Sequence, residues 1–222
     1  MFHTHNRTPS SGHGWPRRLV RWGLASGVAG VMLGAILARS VLAQTLPAQT
    51  TDTPVATTTD SQVPQTLALT EGPYYKPGSP ETTNLVQEGM QGTLITITGQ
   101  VLDQDAQPVA SALLDFWQAD ATGRYDNLGY TLRGHQYTDV NGYYTLTTIV
   151  PGVYPGRTEH IHVKVQAPNG PVLTTQLFFP GVTQNERDGI YDPSLLLNDL
   201  VANADGTQSA TFTLVVASGP AA

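Results

Sequence analysis

Beyond residue 92 the chain is broken into short runs in which apolar and polar residues alternate. Nearly every run ends at a glycine, a proline or an Asn-Gly pair. Residues 93–101 (TLITITGQV) keep the two-residue period of a strand with one buried face. Residues 103–108 turn, and 112–118 (ALLDFWQ) predict a second strand. Asp139-Val140-Asn141-Gly142 is a hairpin signal, because Asn-Gly readily adopts positive φ. It leads into a strand over 143–149 that Pro151-Gly152 stops, and 160–165, 172–179 and 209–216 predict further strands. Only 193–202 has helical character. A chain interrupted this often predicts an all-β fold, an antiparallel β-sandwich with long loops at its active end. Composition agrees: 22 Gly and 16 Pro supply the turns, and 40% hydrophobic residues are enough for a core.

The first 43 residues differ from the rest. They hold five arginines and no acid, and an uncharged, mostly apolar run from 22 to 38 is followed by Val41-Leu42-Ala43-Gln44. This predicts an export signal over 1–43 cleaved after Ala43, hence a periplasmic or extracellular protein without stable membrane insertion. An uncleaved leader would instead anchor the chain to the membrane; Arg17-Arg18 hints at twin-arginine export. Residues 44–66, rich in Thr, Gln, Pro and Ala, predict a disordered linker, with the folded domain over 67–222.

After residue 43 the chain carries six Lys+Arg against seventeen Asp+Glu, a balance that argues against a nucleic-acid partner. There is no cysteine, so disulfides, thiolate metal sites and cysteine nucleophiles are excluded. A metal would have to use His, Tyr, Asp, Glu or water. Three histidines remain beyond the leader, and two form His160-Ile161-His162 in the strand HIHVKV. Strand residues two apart share a face at roughly 6.6–6.8 Å, so both imidazoles can converge on one ion. An exposed surface His-x-His is the plain alternative. Upstream, Pro151-Gly152-Val153-Tyr154-Pro155-Gly156-Arg157 brings a tyrosine and an arginine in a constrained loop, and Gly123-Arg124-Tyr125 brings a second tyrosine after the strand LLDFWQAD. A phenol with a pKa of about 10 is a poor ligand until a hard, highly charged cation stabilises its anion.

The ordered set WQAD–GRY, TDVNGYY, TIVPGVYP and RxxHIH, with Thr70-Glu71-Gly72-Pro73-Tyr74-Tyr75 ahead of it, resembles the intradiol ring-cleavage dioxygenases. The resemblance, to the protocatechuate 3,4- and catechol 1,2-dioxygenase type, runs from about Thr70 to Phe179. It implies iron(III) held by Tyr125, Tyr154, His160 and His162. It implies Arg157 as a charge-stabilising active-site arginine, Gln176 as a pocket residue, and Tyr154 as a displaceable ligand that accepts a substrate proton. The implied substrates are a small aromatic diol and O2, and the implied product a muconate-type diacid. The chain departs from the family in its short stretch between Tyr154 and His160, and in Gly156 where protocatechuate enzymes carry a bulky aromatic; this leaves the substrate open. The GQVLD portion alone also suits a secreted, non-catalytic sandwich that binds carbohydrate or cell-wall ligands. A zinc hydrolase on His160 and His162 would need a carboxylate, and Glu159 would face away from them. Trp117 and Phe116 read as core or pocket wall, Tyr143 and Tyr144 as packing residues, and His135 as a loop residue outside the ligand set.

Overall fold

A computed structural model of the chain describes residues 62–219. The expected export segment and most of the expected linker lie outside them. Among the described residues there are nine strands: β1 (Leu94–Asp103), β2 (Leu113–Trp117), β3 (Arg133–Tyr137), β4 (Tyr143–Ile149), β5 (His160–Gln166), β6 (Val172–Phe178), β7 (Asn198–Ala202), β8 (Gln208–Thr211) and β9 (Leu214–Val216). One sheet runs β3-β2-β5-β6 and is antiparallel throughout. The other runs β4-β1-β8-β7, with β9 beside the later part of β1.

The expected all-β sandwich stands, with local corrections. β8 and β9 both pair parallel with β1, so the second sheet is mixed. The single strand expected over 209–216 is these two, separated at Phe212 and Thr213. The helical character expected over 193–202 reduces to one 3-10 turn at Pro193–Leu195, capped by the Asp192 side chain. Its continuation fails because Leu197 N–H donates to Phe178 O, which draws the chain alongside β6, and 198–202 becomes β7. β3 was not expected at all: Arg-Gly-His-Gln-Tyr lacks apolar alternation, and His135 belongs to this strand rather than to a loop. The packed chain also starts before Leu67, since Val63 N–H donates to Gln104 O and Thr66 N–H to Val215 O.

Alternation decides what faces where. Ile95 and Ile97 of β1, Leu114 and Phe116 of β2, and Ile161, Val163 and Val165 of β5 are buried together between the sheets. Each such side chain contributes roughly 1.5–3 kcal/mol. The intervening residues of β2 and β5 must therefore face outward: Asp115 and Trp117, then His160, His162 and Lys164. Pairing register lines up Arg133, Trp117, His162 and Gln176 in one row across the sheet.

This outer face is covered. A strap of residues 67–82 crosses from β6 to β3. It accepts at Leu67 O from Thr175 Oγ1 and donates from Leu69 N to Thr174 O. Farther along, Asp115 receives hydrogen bonds from Tyr75 Oη and Ser79 Oγ, and Thr82 N donates to His135 O on β3.

A candidate metal centre under the strap

Two loops deliver tyrosines to this face, and glycine lets them meet. Gly123 has φ +79°, and a Cβ there would lie 2.1 Å from Val153 O. A Cβ at Gly152 would lie 2.4 Å from Ala121 O, where Gly152 N–H donates to Asp120 O. No side chain fits either contact, so the loop of Tyr125 and the loop of Tyr154 interlock only through glycine.

Three of the expected site residues converge. His160 Nε2 and His162 Nε2 are 3.1 Å apart, and Tyr125 Oη is 3.2 Å from each. His160 Nδ1 donates to Thr158 O at 2.7 Å, which fixes the tautomer with a bare Nε2. His162 Nδ1 is buried with no protein partner. Trp117 stacks on the His162 ring, with centroids 4.7 Å apart and planes 10° apart. It is thus a wall of the site, whereas Phe116 lies in the core. Tyr154 stands off the triangle: its Oη bonds Tyr74 Oη at 2.8 Å, and its ring meets Tyr125 edge-on at 6.0 Å. Tyr74 stacks on Tyr125 at 4.4 Å. Arg157 donates from Nε to both oxygens of Asp188 and from Nη2 to Gln176 Oε1, while Gln176 Nε2 holds Thr70 O of the strap. His135 Nδ1 bonds Ser79 O, away from these groups. Tyr144 is buried and donates to Phe212 O, whereas Tyr143, opposite Gln100 on β1, is half exposed.

Burial keeps the donors neutral. Burial pushes His160 down to about 4 and His162 well below the usual imidazole range, the latter helped by His160, Arg157 and Arg133. Burial also raises the Tyr125 phenol well above its ordinary value. Two imidazole nitrogens and one phenol oxygen thus face a common point. Donors held about 2.1 Å from a metal, with bonds at right angles, sit about 3 Å apart, close to the spacing found. Among the described residues no three His, Asp or Glu side chains cluster to hold a metal. A metal at this point would therefore bind through tyrosinate, a donor that suits a hard trivalent ion.

Tyr74 belongs to a motif of the resemblance, where an entrance-loop tyrosine flanks substrate or simply packs; Asp188 alone escaped sequence reasoning. Asp188 carries no motif; only folding brings it to Arg157, 31 positions away.

Comparison with known proteins places these features in context. A family model described as "Dioxygenase" (Dioxygenase_C) matches residues 70–217. The protocatechuate 3,4-dioxygenase beta chain of Burkholderia cepacia is 36% identical over 119 residues, 45% of this chain and 51% of that protein. The dioxygenase domain of a dioxygenase carbohydrate-binding protein fusion from Streptomyces sp. SirexAA-E is 49% identical. Its TM-score is 0.67, covering 70% of this chain and all of that one. The 3-chlorocatechol 1,2-dioxygenase of Rhodococcus opacus 1CP is 30% identical with TM-score 0.64, covering 69% of this chain and 72% of that one. The chain spans about half to three-fifths of the length of the curated relatives it matches.

Proposed function

The chain belongs to the intradiol ring-cleavage dioxygenase family, and from that premise we propose that it opens catechol-type rings between their two hydroxyls, using O2 and leaving a muconate-type diacid. The carrying observation is the triangle of Tyr125 Oη, His160 Nε2 and His162 Nε2, a set of donors turned on one point with no carboxylate among them. Iron(III) is the metal this set suits, held by Tyr125, His160 and His162 with Tyr154 as the fourth ligand. When bound, iron(III) supplies the centre that makes a catecholate reactive toward O2.

The chain's own groups do the remaining work. Tyr154 Oη is the proton acceptor for a catechol hydroxyl, and Tyr74 Oη, 2.8 Å away, keeps a hydrogen bond on that oxygen. Arg157 sets a fixed cation beside the histidines, where it favours negative charge developing on the ring. Gln176 ties Arg157 to the strap and so holds the roof over the ring. Trp117, stacked on His162, keeps that imidazole in plane and water out from behind it. The substrate is a small aromatic diol. The arginine-bearing start and its Val41-x-Ala43 pattern support export, with the mature protein beginning at Gln44.

The test is direct. Purified protein should contain about one iron per chain, show a visible tyrosinate-to-iron band, and consume O2 with catechol to yield the ring-opened diacid. Stoichiometric zinc with no visible band and no O2 uptake would overturn the proposal.

A further inference from the structure

We infer that Asp188 is a positioning residue for the ring-opening reaction, setting the direction in which Arg157 presents its charge; this rests on the function proposed above. The Asp188 side chain is 1% exposed. Its two oxygens take Arg157 Nε at 3.0 and 2.8 Å, Thr158 N–H at 2.9 Å and Ile190 N–H at 3.0 Å. All three donors point at one carboxylate from two segments, the histidine strand's approach and the loop after β6.

The geometry removes Arg157's freedom. An arginine on a Gly/Pro loop can adopt many rotamers, and fixing its long side chain costs up to about 2 kcal/mol of entropy. Here Nε is committed to Asp188 and Nη2 to Gln176, leaving Nη1 without a protein partner among the described residues. A planar guanidinium held at two of its three nitrogens has one orientation, and its free nitrogen is the donor left for a ligand. The same carboxylate binds the backbone of Thr158, whose carbonyl fixes His160 Nδ1. Thr158 Oγ1 in turn donates to Asn185 Oδ1 on the short 3-10 turn Thr183–Arg187. The loop after β6, outside every motif of the chain, thereby sets the aim of the active-site cation.

A double-mutant cycle on the full-length, iron-loaded protein tests this. Asp188→Asn should lower kcat for catechol roughly 10- to 100-fold while KM, iron content and the visible band stay near parental. In an Arg157→Ala background the same change should have little further effect, because no guanidinium remains to aim. Guanidinium ion added to Arg157→Ala should restore part of kcat, and should fail to do so once Asp188 is also Asn. If Asp188→Asn folds poorly, the rescue comparison with Asp188→Glu carries the same decision. Equal losses in both backgrounds, or rescue independent of Asp188, would overturn the inference. A parent that does not turn over catechols would instead refute the proposed function.

Discussion

His160 Nε2 and His162 Nε2 lie 3.1 Å apart inside a buried pocket, with Tyr125 Oη 3.2 Å from each, a spacing that suits three donors on one metal ion. Strand geometry sets the pair, and burial removes the water that would separate them. His162→Ala should therefore abolish stable metal binding, with metal content per chain falling to background and the visible band lost. Retention of one iron per chain would reject His162 as a ligand.

The two tyrosines should behave differently. Tyr125 Oη touches both histidines, whereas Tyr154 Oη is bonded to Tyr74 on a loop between prolines. Tyr154→Phe should keep iron, more weakly, shift the visible band and lose most turnover. Tyr125→Phe should lose the iron itself. Equal iron retention in the two variants, measured by metal analysis, would contradict this division.

Arg157→Ala should leave iron and colour in place and slow the chemical step by about 100-fold or more, as loss of a fixed charge-stabilising group does. Single-turnover kinetics with catechol under O2 are the check. An unchanged rate would remove Arg157 from the mechanism.

Acid should weaken the metal-free protein. In the unfolded chain a histidine titrates near 6.5, whereas burial holds His160 at about 4 in the fold and His162 lower than its ordinary value. Between these values the unfolded chain binds protons that the native one does not, so stability is fully present above about pH 6.5 and declines toward pH 4. His160 alone accounts for on the order of 3 kcal/mol of that loss. Thermal melts of metal-free protein from pH 7 to 4 should show the decline, and His160→Gln should lessen it. A variant that falls as steeply as the parent would count against the assignment.

Gly123→Ala is expected to cost on the order of 2–4 kcal/mol, from positive φ and from collision with the Val153 carbonyl. Because both tyrosine loops move, iron affinity should fall along with Tm. A variant with parental Tm and iron content would show that the interlock is not needed. For the leader, N-terminal sequencing of secreted protein should begin at Gln44; intact residues 1–43 in membranes would indicate an anchor instead.

How much of this was legible in the sequence depended on the range of each interaction. The strands at 93–101, 143–149 and 160–165 were readable because their alternation is local, and His160 and His162 share a face by the same local rule. Tyr125 and Tyr154 could be singled out from their loops, and as ligands through the resemblance; their meeting depends on Gly123 and Gly152, whose necessity appears only when two distant loops touch. β3 was invisible because its outward face packs against the strap, which removes the hydrophobic alternation that marks a strand. The turn at Pro193 read as a helix because its cap is local, while the pull of Phe178 O that ends it is not. Asp188 is the extreme case, an ordinary aspartate until folding sets it under Arg157.

The strap has a consequence beyond the site it roofs. β3 and β6 are the outermost strands of their sheet, and each would otherwise offer unpaired backbone groups to another chain. Leu69 N–H bonds to Thr174 O on β6, while His135 N–H of β3 donates to Pro80 O and its carbonyl accepts from Thr82. One segment thus blunts both margins of the sheet against edge-to-edge aggregation. A chain shortened past residue 82 should therefore lose solubility along with its pocket.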